Sequence, residues 1–410
     1  MLHDPDRHQP LCATAWDADR AREVIARVVR DTEAHFDPDR YWPLHPLDAD
    51  AGDAAPAYAL YHGACGVLWA LHYLEASGAI TLARHYAQWV RPLVARNAIR
   101  LASLDFEANA SYLMGETGIL LLAQALDPTA DTAERLAALI ESNLDHPTRE
   151  LMWGGPGTLL AALFLHERTR EPRWAEAFRA TARKLWSQLA WSPECQCRYW
   201  TQEMYGTVST YLGAVHGFAA TASPLIRGRH LLEDDEWLPW SACIVDTVRK
   251  TAMCDGDGTN WHAWLLRATP GDRPLLMQYC HGAPGFVACL ADLPDPSLDD
   301  LLLAAGAATW RAGPLRKGAG LCHGTAGNGY AFLGLYRRTG DPEWLARARA
   351  FAMHAIGQAS EHERRYGQMR YSLWTGDPGL AIYLWDCIRG NAAFPTLDVF
   401  FADEVPAAGE

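Results

Sequence analysis

Tyr279-Cys280-His281-Gly282-Ala283-Pro284-Gly285 and Leu321-Cys322-His323-Gly324-Thr325-Ala326-Gly327 are two copies of one pattern: a Cys-His-Gly triplet, a second glycine three residues on, then an apolar run. Five further copies keep the turn without the full triplet. They are His62-Gly63-Ala64-Cys65-Gly66, Met114-Gly115-Glu116-Thr117-Gly118, Trp153-Gly154-Gly155-Pro156-Gly157, His216-Gly217-Phe218-Ala219-Ala220 and Thr375-Gly376-Asp377-Pro378-Gly379. Recurrence at this spacing marks stacked supersecondary units that bury a shared core.

The runs after the turns, such as Ile119-Leu120-Leu121-Leu122-Ala123, are apolar on all sides and belong inside a bundle. Between them lie amphipathic segments; Leu136, Leu139, Ile140 and Leu144 recur at helical spacing with Glu134, Arg135 and Glu141 interleaved. Seven outer segments, roughly 18–34, 81–99, 130–144, 172–190, 235–252, 297–310 and 341–357, alternate with seven inner ones. Glu171-Pro172-Arg173-Trp174 and Asp341-Pro342-Glu343-Trp344 open two of the outer segments, and proline suits a first helical turn. The count predicts an all-α protein, an α/α toroid of seven outer and seven inner helices. An open solenoid whose glycines only satisfy turns is the plainer alternative. In the toroid, the first glycine of each turn supplies unusual torsions and the second allows close packing, while free N–H groups at the inner helix N-termini face one end.

The repeats run from about residue 18 to residue 390 without a Pro/Gly/Ser-rich linker, so residues 1–410 read as one domain with an irregular N-terminal segment and a short C-terminal tail. A net charge of −13 argues against phosphate-backbone binding, so no nucleic-acid partner is expected. No apolar stretch is long enough for a membrane-spanning segment, and the first residues lack a signal-peptide core; a cytoplasmic protein is expected. The ten cysteines are too sparse for a disulfide scaffold, and most read as reduced, buried and inert.

Cys280, Cys322 and His323 are the exception. Each cysteine stands two residues before the first glycine of its unit, so the three side chains can meet at the ring mouth. Two thiolates and an imidazole with an open fourth position describe a catalytic zinc site. The same residues also fit a plain reading as small core side chains and caps. His281 would close the coordination sphere, and a structural role is expected for it. His216 faces the same end and can move protons near neutral pH; His62, in a similar setting, reads as structural. Lys317 could contact an anionic group. Glu150, four residues before the third turn, could reach the mouth. Arg364, Arg365 and Arg370 read as a basic patch on a solvated loop.

Over its whole repeat region the chain resembles the lanthionine synthetase C-like family, which holds bacterial lanthipeptide cyclases and glutathione-binding eukaryotic relatives. The two Cys-His-Gly stretches carry the resemblance, with Tyr211-Leu212-Gly213-Ala214-Val215-His216-Gly217 and Glu150-Leu151-Met152-Trp153-Gly154. It implies an α/α toroid, a Zn²⁺ ion on Cys280, Cys322 and His323, and a proton-transfer role for His216. Glu150 falls where some cyclases carry an aspartate. Lys317 and, less clearly, Arg365 match residues that the eukaryotic-like branch uses for phosphate elimination and glutathione contacts. Ala220 departs from the pattern, standing where a second glycine is expected.

The activity so implied is addition of glutathione or a similar thiol to dehydroalanine or dehydrobutyrine in a peptide or protein, with or without a preceding phosphate elimination. Formation of intramolecular lanthionine rings is the close alternative, and non-catalytic zinc and glutathione binding a further one. A toroidal glycosidase would need a second carboxylate opposite Glu150 and would leave the Cys/His set unexplained.

Overall fold

A computed structural model describes residues 1–49, 56–102, 104, 107–266 and 275–401. The outer helices are α1 (Ala18–Ala34), α3 (Pro92–Leu101), α5 (Ala130–Ser142), α7 (Pro172–Ser187), α9 (Asp234–Thr251), α11 (Asp299–Ala312) and α13 (Pro342–Tyr366). The inner helices are α2 (Ala64–Ala76), α4 (Glu116–Leu126), α6 (Gly155–Thr169), α8 (Phe218–Arg227), α10 (Ala283–Leu290), α12 (Thr325–Thr339) and α14 (Asp377–Arg389). Each inner helix packs on the next, and α14 packs on α2, so the ring closes and the open solenoid is excluded. Two outer helices differ in extent from the sequence reading. α3 begins only at Pro92, and α13 runs on to Tyr366, ending where Gly367 takes a left-handed conformation.

A backbone ladder runs around the mouth of the ring. Two residues before the first glycine, the N–H of one unit donates to the carbonyl of the next: Cys280 to Cys322 (3.1 Å), Cys322 to Trp374 (2.8 Å), Trp374 to Tyr61 (3.2 Å), Tyr61 to Leu113 (3.0 Å) and Leu113 to Met152 (3.3 Å). Among the described residues the two joints flanking the fourth unit, where Val215 holds this position, show no such bond. There the Met152 N–H donates instead to Glu150 Oε2 (2.9 Å).

The glycines act chiefly through space. Six of the seven first glycines are extended at negative φ, which any residue adopts; Gly282 alone is at φ 119°. The expectation of special torsions therefore holds only there. At the second glycines the lead-in carbonyl is nearly in contact: a Cβ on Gly327 would lie 1.7 Å from the Leu321 oxygen, and one on Gly285 1.9 Å from that of Tyr279. The inner helix N–H groups are not free either. Thr325, Ala326 and Gly327 donate to the carbonyls of Gly318, Ala319 and Gly320, and the first and fourth units repeat this back-bonding. In these three units the helix start and its lead-in are one closed hydrogen-bonded unit.

Residues 392–401, expected to belong to a tail, are core. Phe394, Phe400 and Phe401 are buried, Phe394 stacks on Tyr279 at 4.2 Å, and Trp69 Nε1 donates to the Phe400 carbonyl (2.8 Å). Arg227, in the last turn of α8, donates to the Asp398 carbonyl, and Arg168, in the last turn of α6, lies over the Phe401 ring. This segment plugs the end at which the inner helices finish. Three hairpins that the helical reading did not anticipate, β1–β2 (Ala190–Ser192, Cys197–Tyr199), β3–β4 (Gln202–Met204, Thr207–Ser209) and β5–β6 (Ala252–Asp255, Gly258–Trp261), decorate the ring.

Candidate metal centre and the residues around it

Cys280 and Cys322 occupy neighbouring rungs of the backbone ladder, which brings residues 42 positions apart side by side. Their sulfurs and a ring nitrogen of His323 lie within 4.8 Å of one another, the two cysteines buried and the histidine half-buried. The hydrogen bond from the Cys322 thiol holds Cys280 well below the ordinary thiol value, while Cys322, giving up its proton second, is pushed up. Two thiols and an imidazole at this spacing, one of the thiols readily ionised, fit a divalent ion of zinc's preferences. At the buried cysteines outside the cluster burial pushes the thiol up: Cys197 to about 11, Cys243 to about 12, and Cys65, Cys289 and Cys387 higher still. All ten cysteines are free, as the sequence reading expects.

Three contacts to this cluster escaped the sequence reading. Gln278 Nε2 donates to the Cys280 sulfur (3.0 Å), and Gln278 Oε1 accepts from Arg7 Nη2 (2.9 Å). Arg7 belongs to the N-terminal segment, which is strapped to the ring by Arg316 N–H to Arg7 C=O (2.9 Å) and Gln9 N–H to Pro314 C=O (3.0 Å). Tyr61 lies near Cys322: burial, and then the charge of Cys322, pushes the Tyr61 phenol up. One signal was available for Tyr61: it stands two residues before Gly63, the position that Cys280 and Cys322 hold in their units.

Glu150 is fully buried and is not a lone acid. Its Oε1 accepts from the Trp153 N–H (2.6 Å), and its Oε2 from the Met152 N–H (2.9 Å) and from His216 Nδ1 (2.8 Å). Burial pushes the His216 imidazole down, but the hydrogen bond and charge of Glu150 outweigh it, and the net direction is up. His216 lies near enough to Cys280 for the thiolate charge to add to this.

His281 stands apart from the ligand cluster. Its ring lies beside Tyr211 (5.6 Å) and Trp264 (6.5 Å), and its backbone pairs with Gln278. Burial pushes its pKa down, keeping the ring neutral. Its Nδ1 is buried and has no hydrogen-bond partner among the described residues. Tyr211 also flanks His216, at 5.8 Å, so an aromatic wall joins the two histidines.

Lys317 is exposed on the loop that leads into Cys322; its charge reaches Cys322 and His281, and it makes no ion pair among the described residues. It is one of only three lysines in the chain. Arg365 is exposed in the last turn of α13 and lies over the Tyr366 ring, so it is not brought into the cluster. The basic patch is not a solvated loop: Arg364 and Arg365 are helical, and Arg370 Nε donates to Asp48 Oδ2 (2.7 Å) in a buried pair.

A family model for lanthionine synthetase C-like proteins matches residues 56–399. The chain belongs to this family. It is 27% identical over 315 residues to glutathione S-transferase LANCL1 of Danio rerio, covering 70% of this chain and 74% of that one. It is 37% identical over 136 residues to LanC-like protein GCL1 of Arabidopsis thaliana, a match spanning 31% of each chain. Among solved structures nisin cyclase shares the fold, with a TM-score of 0.59 over 90% of this chain and 93% of that one at 15% identity. Like that structure, this member of the family is a closed ring of helix pairs. No helix among the described residues is long and apolar enough to cross a membrane.

Proposed function

We propose that this protein joins a thiol, glutathione or a close analogue, to dehydroalanine or dehydrobutyrine in a peptide or protein, yielding a thioether. The reading is carried by two thiols and an imidazole within 4.8 Å of one another, near a histidine whose Nδ1 is held by a buried carboxylate. It is also supported by the family and by the glutathione S-transferase LANCL1 likeness.

Cys280, Cys322 and His323 would hold Zn²⁺, which when bound supplies the Lewis acidity that keeps an incoming thiol deprotonated at neutral pH. The substrate sulfur adds to the β-carbon of the acceptor; the C–S bond forms and the π pair moves toward the carbonyl oxygen. His216, its Nδ1 occupied by Glu150, delivers a proton from Nε2 to the α-carbon, directly or through water. Glu150 fixes the ring and favours the charged imidazole. Lys317 meets an anionic group, either a phosphate leaving during elimination or a carboxylate of the thiol donor, and Arg365 is a more distant candidate for the same task. Such chemistry suits a reducing compartment such as the cytoplasm, where the free cysteines stay reduced.

Mass spectrometry of a dehydroalanine peptide incubated with the protein and glutathione tests the reading. A glutathione adduct is expected, with both zinc and product lost in Cys322→Ala. A cyclised peptide lacking glutathione would make the protein a cyclase, and glutathione binding without turnover would make it a binding protein.

A further inference from the structure

If the proposed chemistry is correct, the protein carries two nucleophilic sulfurs of its own, Cys280 and Cys322, beside an electrophilic substrate. Either could add to the acceptor: the C–S bond would form at the β-carbon, the π pair would move to the carbonyl oxygen, and water would protonate the α-carbon. The protein would then be left alkylated at its own ligand. The structure contains a hydrogen-bond relay at the first of these sulfurs. Gln278 is buried, and its amide could point either way, but the Arg7 guanidinium has no acceptor atom and claims Oε1. That leaves the NH₂ group facing Cys280, at 3.0 Å from the sulfur. Arg7 is in turn fixed by its own carbonyl, which accepts from the Arg316 N–H one residue before Lys317.

We propose that Gln278, oriented by Arg7, is a positioning residue that occupies a lone pair of the Cys280 sulfur and so steers alkylation away from the protein and onto the substrate thiol. A donated hydrogen bond lowers the energy of the sulfur lone pair, which weakens it as a nucleophile while leaving its other lone pairs for a metal. The N-terminal segment thus has a chemical role: it fixes the amide that covers the sulfur.

The proposal rests on the function above, but its test does not require the natural substrate. Zinc-loaded wild type, Gln278→Leu and Arg7→Met are treated with iodoacetamide, which alkylates a sulfur with loss of iodide. Adducts are located by peptide mapping, and zinc content is measured in the same samples. Gln278→Leu is expected to retain zinc and to alkylate at Cys280 about tenfold faster, the worth of one hydrogen bond to a charged acceptor. Arg7→Met is expected to show a smaller rise at the same residue, because the amide is still present but free to turn. An unchanged rate at Cys280 in Gln278→Leu, equal acceleration at both cysteines, or loss of zinc from Gln278→Leu would each overturn the proposal. Thioether formation by wild type is assayed separately, so failure of the assigned reaction and failure of the shielding give different results.

Discussion

Glu150 and His216 show how a residue's partners decide its chemistry. A carboxylate with three donors around it, two of them backbone N–H groups, is fixed in place and can hold an imidazole in one orientation. If His216 is the proton donor, His216→Ala should lower the rate of thioether formation on the order of a hundredfold or more while leaving zinc content unchanged. Glu150→Gln should move the alkaline limb of the rate profile to lower pH, because the charge that raises the His216 pKa is gone. The same pair makes a stability prediction. A histidine whose folded pKa is raised contributes stability that is complete below its ordinary value and is lost as pH rises through the folded value. Urea unfolding across that range should show this slope in wild type and a flatter one in Glu150→Gln. At this scale much of the site was legible: Cys280, Cys322, His323 and His216 stand at repeated positions. Gln278 and Arg7 were not legible, since an ordinary glutamine and an arginine in an irregular segment carry no spacing signal.

At the scale of the element, the glycine turn is a packing device. Its helix start bonds back to its own lead-in, and the second glycine lies against a carbonyl of that lead-in. Gly327→Ala should therefore destabilise the protein by about 3 kcal/mol and reduce zinc binding, since Leu321 must shift and Cys322 follows it in the chain. Ala220 is the internal comparison, for it holds the same position in the fourth unit, where the mouth ladder is interrupted. Ala220→Gly should cost only about 0.5–1 kcal/mol, the ordinary penalty for glycine in a helix. Thermal unfolding of both variants, with metal analysis, checks the pair. The sequence pattern located every one of these turns, but it gave the wrong reason for most of the first glycines, because crowding by a neighbouring strand of backbone is invisible in a one-dimensional spacing.

For the whole molecule, closure of the ring and the plug at its far end belong together. Residues 392–401 fill the axis beneath the mouth, and Phe394 stacks on Tyr279, the residue before Cys280. Phe394→Ala should cost about 3–5 kcal/mol, read by calorimetry, because a large aromatic removed from a filled axis leaves a cavity that a closed ring of helices cannot collapse.

The number of helix pairs, the alternation of inner and outer faces and the identity of the two Cys-His-Gly turns follow from the sequence alone, since periodicity and glycine spacing are local and repeat seven times. The tertiary structure decided what no local pattern encodes. It showed that α14 meets α2, that an N-terminal arginine orients the amide on Cys280, and that residues 392–401 are core. These are contacts between residues hundreds of positions apart, and they exist only because a closed ring brings the N-terminal segment to its rim and residues 392–401 to its axis.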